Sequence, residues 1–166
     1  MLDDLVALAR RYGVELVVDV RRYPRSRRVP HFNSEELERS LPAAGIDYLH
    51  MPALGGRRKP RPGSPNAGWQ HEQFRGYAGH METQEFQAAL GRLEALARSR
   101  PTAVMCAEAS WWRCHRRLIA DALLARGWRV LHIGSGGGAS EHELTRFAAV
   151  TAAGVTYPAE QTSLDL

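Results

Sequence analysis

The stretch Pro101–Trp128, PTAVMCAEASWWRCHRRLIADALLARGW, decides the fold. Thr102–Met105 is a short apolar run of the kind that forms a buried strand. Two cysteines, a glutamate and a tryptophan pair follow, and from about Arg113 to Arg126 the apolar residues fall at helical spacing. A strand, a reactive loop and a helix are expected in that order. Cys106, Glu108, Cys114, His115 and Arg116 then gather where a buried strand surfaces and a helix begins.

Upstream, the same grammar repeats. Leu2, Leu5, Val6, Leu8 and Ala9 are spaced for one face of a helix that Gly13 closes. Val14–Val20, VELVVDV, reads as a buried parallel strand ending in Asp19 and Arg21. Pro24 and Pro30 mark Tyr23–His31 as loop. Asn33 as N-cap, Glu36 as its capping-box partner and a Phe32/Leu37 staple predict the next helix, ending near Gly45. Ile46–Met51 reads as a second strand. Pro52–Trp69 is a connection with four prolines (Pro52, Pro60, Pro62, Pro65) and the Gly55-Gly56 pair, long enough to suggest a functional loop. Gln70–Met81 and Gln84–Ser99 are expected as helices.

Downstream of the central stretch, Arg129–Ile133 reads as a fourth strand and Gly134–Gly138 as a flexible turn. Ser140 with Glu143 repeats the capping-box pattern and predicts a last helix to about Ala149. Residues 1–150 are expected to form one domain, and 151–166 a weakly ordered tail. Alternating strands and helices give an α/β class: a single domain with a mainly parallel sheet of about four strands flanked by helices, a Rossmann-like three-layer arrangement. Ligands of such sheets bind beyond the carboxyl ends of the strands. Asp19, His50, Cys106 with Glu108, and His132 would all arrive at that edge.

Composition bounds the function classes. The 166 residues are 44% hydrophobic and 24% charged, as in an ordinary soluble domain. No apolar run reaches the roughly 20 residues of a membrane span, and MLDDLVALARR does not read as a signal peptide. A cytoplasmic protein with no membrane partner is expected. Two cysteines are too few for a disulfide scaffold, so free thiols are the expectation. Net charge is +4, and Lys59 is the sole lysine among 22 basic residues. Arg21, Arg22, Arg25, Arg27 and Arg28, with Arg57, Arg58, Lys59 and Arg61, are dense enough to suggest an anionic partner, for which guanidinium forks suit phosphate.

The segments VDVRRYPRSRR with Phe32, GIDYLHMPALGGRRKP, FRGYAGHMETQEF and CAEASWWRCHRRLIADALLARGW followed by VLHI resemble the bacterial domain-of-unknown-function family 488 (DUF488) over about Val14 to Phe147. Members of that family usually start with a further strand carrying a Thr-Ile-Gly-His-Ser-like segment. The resemblance implies that this sequence lacks it and that a sheet edge is left unpaired. It supplies a fold and a residue set rather than a reaction.

Three chemistries compete for those residues. A thiol transferase or phosphatase of the C-x5-R kind fits poorly, because Trp112 stands where the arginine belongs and Arg113 comes one later. A metal site could draw on Cys106, Cys114 and His115 with His50, His132 or Glu108, yet adjacent helical residues point about 100° apart and C-x7-C-H is no zinc spacing. The third is nucleophilic or acid/base chemistry on a phosphate-bearing substrate, a nucleotide or nucleic acid. Cys106, Glu108, Cys114, His115 and Asp19 are its candidate catalytic residues. Cys114, in the first turn of a helix and flanked by basic groups, is the better activated thiol. Arg21, Arg25, Ser26, Arg27, Arg116, Tyr77 and Trp112 are the candidate substrate-binding residues; no metal ligand is assigned and the cofactor stays unspecified. The alternative is a non-catalytic module that binds nucleic acid or a partner through its basic loops.

Overall fold

The computed structural model describes residues 2–160. Helix α1 (Leu2–Arg11) leads into strand β1 (Leu16–Asp19), helix α2 (Ser34–Ala43) into β2 (Asp47–His50), and α3 (Glu72–His80) with α4 (Gln84–Ser99) into β3 (Thr102–Met105). The three strands form a parallel sheet in the order β2-β1-β3. Val18 pairs with Leu49 and Val104, and Asp19 with His50 and Met105, so the strands end level with one another.

Alternation along β1 splits the core in two. Leu16 and Val18, with Val20 beyond, face a large cluster that includes Tyr77, Phe86, Leu90, Leu118 and Ile119. Val17 faces a smaller one with Ala9, Leu37, Leu41 and Ile46. Each fully buried aliphatic side chain stabilises by roughly 1.5–3 kcal/mol before entropy is subtracted. Central β1 is therefore the member least able to shift. Gly13, at φ +64°, ends α1 in the left-handed region where a side chain would be strained. The expected capping box is not made: Asn33 stands at the N-cap of α2, but its Oδ1 accepts from Ser26 N at 2.7 Å, while Glu36 bonds Arg39 and Ser40. The staple pair does share a cluster, with Phe32 packed against that of Leu37.

The parallel sheet has three strands, not the expected four. After helix α5 (Arg116–Ala125), strand β4 (Leu131–Ile133) turns through the glycine-rich segment and pairs antiparallel with β5 (Ala139–Glu141). The short Gly134–Gly138 turn brings the chain straight back into a hairpin, and among the described residues β4 pairs with β5 alone. Where the sequence suggests a last helix from Ser140, the chain is extended, then forms an antiparallel ribbon of β6 (Ala149–Thr151) and β7 (Gly154–Thr156). Ser140 pairs with His132, so it belongs to a strand and caps nothing. Tyr157, within the stretch read as tail, is fully buried in the large cluster; residues 161–166 of that stretch lie outside the described residues. The outer edge of β3 pairs with no strand among the described residues. A cavity of about 430 Å³, lined by Thr102, Ala103 and Val104 on one side and by 129–133 on the other, separates it from β4. Among the described residues no helix is long and apolar enough to cross a membrane.

Candidate active site

Just beyond the carboxyl end of β3, the chain makes a loop that returns through a short 3-10 turn (Trp111–Arg113) to the start of α5. Cys106 opens this loop and Cys114 closes it. Their sulfurs lie 2.7 Å apart, nearer than van der Waals contact and short of a bond, and both cysteines are free thiols. Cys114 is buried and stands two residues ahead of α5, so its sulfur faces the helix start from outside rather than from within the first turn. It receives the Arg116 backbone N–H at 3.5 Å and lies 3.5 Å from His115 Nδ1. His115 Nε2 lies 2.9 Å from the Val20 carbonyl, to which it donates, and this fixes the ring with Nδ1 toward the sulfur.

These contacts divide the two thiols. Hydrogen bonding from Cys106, then from His115 and the Arg116 N–H, holds Cys114 far below the ordinary thiol range despite its burial. The bond to Cys114 and burial push Cys106 up. These opposite shifts favour ionisation at Cys114, with Cys106 placed to donate its S–H to it.

The sulfurs open into a cavity of about 280 Å³ whose wall includes Arg22, Arg57 and Arg113 along with Tyr23, Phe74 and Tyr77. Arg22 and Arg57 both lie over the Tyr23 ring, at 5.3 and 5.9 Å from its centroid, and that ring is 61% exposed. Arg57 holds φ +60°, an uncommon conformation for a residue with a side chain. The proline-rich loop that carries it is anchored by α3. Tyr77 donates to Leu54 O at 2.7 Å, and His80 Nε2 lies 2.6 Å from Ala53 O. Gly55 and Gly56 let this loop approach closely. A Cβ on Gly55 would stand 2.8 Å from the Arg22 backbone, and one on Gly56 3.0 Å from His115 Nδ1.

Of the residues singled out from sequence, Arg21, Tyr77, Cys106, Glu108, Cys114 and His115 line this one cavity. Their roles differ. Asp19 is fully buried, its two oxygens taken by the backbone and guanidinium of Arg21 and by the Tyr48 hydroxyl. Arg21 also donates to Phe32 O at 2.7 Å, so its fork is committed to tying the first loop to the sheet. Glu108 is exposed and accepts from Ser110 N at 3.0 Å. Arg116 clamps the reactive loop through the carbonyls of Glu108 and Ala109, and its Nε is buried with no partner among the described residues. Trp112 is 53% exposed and lies against Trp111.

Arg25, Ser26 and Arg27 stay outside the cavity. Arg25 pairs with Glu35 at the surface, Ser26 Oγ accepts from the N–H groups of Arg28 and Val29, and Arg27 is exposed. His50 Nε2 contacts Arg21 O at 2.7 Å. His132 joins a separate cluster instead of the carboxyl edge. There His132 Nε2 meets His142 Nδ1 at 2.8 Å, His142 Nε2 meets Asp121 Oδ1 at 2.8 Å, and Asp121 also accepts from Thr145 N and the Tyr157 hydroxyl. Trp111 stacks flat on His132, at 3.9 Å between centroids, and so pins the reactive loop to the β4-β5 ribbon. Among the described residues, no three His, Cys, Asp or Glu side chains are grouped to hold a metal ion.

Sequence reading left Arg22, Arg57 and Arg113 out of the binding set, although the basic runs containing the first two were visible. The Gly55-Gly56 pair was the available signal that the loop of Arg57 returns to the site, since adjacent glycines permit a close backbone approach. No match was found among curated proteins or among solved structures. The model of the family described as Domain of unknown function DUF488 matches residues 1–123, which takes in the whole cysteine site and leaves both ribbons outside. The chain belongs to that family, DUF488.

Proposed function

We propose that the protein is an enzyme in which the Cys114 thiolate attacks an electrophilic centre of a phosphate-bearing substrate, a nucleotide or a nucleic acid. The observation that carries this reading is a buried sulfur in contact with a second thiol, a histidine ring nitrogen and a backbone N–H, at the wall of a cavity bearing Arg22, Arg57 and Arg113. Such an environment makes a nucleophile at neutral pH, whereas a packing cysteine has no use for it. The arginines hold the phosphate, and Tyr23 offers a face on which a base can stack. Glu108, exposed at the cavity wall, takes the acid/base part, since both oxygens of Asp19 are already engaged and its role is to hold Arg21. Tyr77 lines the cavity, Arg116 fixes the loop, and Trp112, exposed on that loop, lies outside the cavity lining. The reading sets the protein in the cytoplasm, where thiols stay reduced.

The test is alkylation followed by mass, site by site, against pH and with a panel of nucleotides and a short single-stranded DNA. At pH 6 an ordinary thiol is only about 0.3% thiolate, so Cys114 in a Cys106→Ser variant should react on the order of 100-fold faster than Cys106 in a Cys114→Ser variant. A ligand that protects Cys114 names the substrate class. Equal, slow alkylation of both sites would end the reading. The exposed Tyr23 between two arginines favours one rival, a non-catalytic nucleic-acid-binding module. A binder resting on about six phosphate contacts would lose roughly 1,000-fold in affinity between about 50 and 200 mM salt and be indifferent to Cys114→Ala. An enzyme retains ligand in that variant and loses turnover.

A further inference from the structure

The proximity of the two sulfurs exceeds what a nucleophile needs. A thiol's nearest partner could be any nearby polar group; here it is the other cysteine of the chain, at 2.7 Å, from the opposite end of a nine-residue span. Cys106 is half-buried and shares the cavity wall with Cys114, so a small oxidant that reaches one reaches both. Its sulfur is held between the N–H of Glu108 at 3.4 Å and the carbonyl of Glu108 at 3.6 Å, which keeps it on station beside Cys114. We propose that Cys114 and Cys106 form a peroxide-reducing pair, Cys114 reacting with a hydroperoxide and Cys106 resolving the product to an intramolecular disulfide.

The chemistry balances with these groups. The Cys114 thiolate attacks the terminal oxygen of ROOH, an S–O bond forms as the O–O bond breaks, and RO⁻ leaves and is protonated to ROH. Cys114 becomes a sulfenic acid, oxidised by two electrons, and the peroxide is reduced. The Cys106 sulfur then displaces hydroxide from that sulfenic acid, its own proton leaving with the hydroxide as water, and the disulfide forms. An external dithiol returns both cysteines to the starting state by exchange. The guanidinium groups of Arg22, Arg57 and Arg113 stabilise the departing alkoxide or hydroxide, as they would a phosphate. The disulfide removes the nucleophile from the cavity, so oxidation silences the reaction proposed above.

This inference rests on the Cys114 thiolate of that reading but not on its phosphate chemistry. The experiment treats the reduced full chain with hydrogen peroxide and follows intact mass, with circular dichroism confirming that each variant is folded. The unmodified protein should lose about 2 Da, reversibly with dithiothreitol, with no stable sulfenate. Cys106→Ser should gain about 16 Da and be trapped by dimedone. Cys114→Ser should react at least about 100-fold more slowly than the unmodified protein. A wild-type protein whose mass is unchanged by excess peroxide, a Cys106→Ser protein that forms no trapped sulfenate, or a Cys114→Ser protein that reacts as fast would each overturn the proposal. The two readings part cleanly. Nucleotide protection of Cys114 with inertness to peroxide defeats the peroxide pair alone, whereas rapid disulfide formation with no protection by any phosphate ligand defeats the phosphate substrate alone.

Discussion

Asp121, inside α5, and Cys114, just ahead of it, belong to the same stretch of chain but live by different rules. Around Asp121 each polar group has a designated partner. His142, the Thr145 N–H and the Tyr157 hydroxyl satisfy the carboxylate, His132 satisfies His142, and Trp111 closes the stack. Around Cys114 the partners are a second thiol, a histidine ring nitrogen and one backbone N–H, and the pair faces a cavity whose wall carries Arg22, Arg57 and Arg113. The first arrangement costs much to break and offers nothing to a ligand; the second leaves its sulfurs facing an open cavity. A saturated network is therefore assigned to structure and an under-saturated one to chemistry.

The sharpest way to break that contrast is to truncate one member of each cluster. Asp121→Ala strands three buried donors and should cost about 3–5 kcal/mol in urea unfolding. Cys114→Ser, which keeps size and hydrogen bonding, should cost no more than about 1 kcal/mol and abolish thiolate reactivity. If the costs came out in the reverse order, the assignment of structure and chemistry would have to be exchanged.

Acid probes the same network more gently. Burial, with His142 and Arg116 nearby, lowers His132 to about 4. The unfolded chain takes up that proton first once pH falls below about 6.5. The contribution of His132 is thus complete above pH 6.5 and is lost as pH drops toward 4, by about 2 kcal/mol between pH 6.5 and 5. A His132→Gln variant should show a correspondingly shallower decline of unfolding free energy over that window. An identical slope would detach His132 from the network's energetics.

A third substitution sharpens the other side. Gly56→Ala would set a Cβ 3.0 Å from His115 Nδ1 and must move either the proline-rich loop or the imidazole. With the ring displaced, Cys114 loses one of its donors. The thiol pKa should rise, and the pH at which its alkylation falls off should move up with it. Unchanged alkylation would remove His115 from the thiolate's support.

What was legible in the sequence follows from how local each signal is. The first strand announced itself as an apolar run, because a strand buried on both faces needs nothing beyond its own residues to say so. Arg129–Ile133 carries the same signal, and only its neighbour Gly134–Gly138 distinguishes a hairpin from a crossover. The Ser140/Glu143 pattern misled because a capping box is a four-residue motif, and the residues after it lack the helical periodicity that would have confirmed it. Cys106, Cys114 and His115 could be read as a site, since strand end and helix start are local features. Arg57 was signalled only by the Gly55-Gly56 pair, because its place depends on the Pro52–Trp69 loop folding back against His115. The Asp121–His142–Tyr157 network was likewise hidden, its members being satisfied only by long-range packing.

Arg57 itself provides the smallest and most discriminating effect. At φ +60° a side chain costs about 1 kcal/mol relative to glycine, offset in part by glycine's greater freedom in the unfolded chain. Arg57→Gly should therefore leave stability unchanged or raise it by about 0.5 kcal/mol. Arg57 lies beside Tyr23 and pairs with no carboxylate among the described residues, so its removal subtracts one of the cavity's cations and the 5.9 Å contact with that ring. Protection of Cys114 by any phosphate ligand should weaken several-fold while the thiol's own reactivity stays the same. That combination, with stability kept and ligand affinity lost, is expected of strain held at a binding site. A variant that loses stability without losing protection would show instead that Arg57 serves the loop, and the cavity's anion-binding charge would then rest on Arg22 and Arg113.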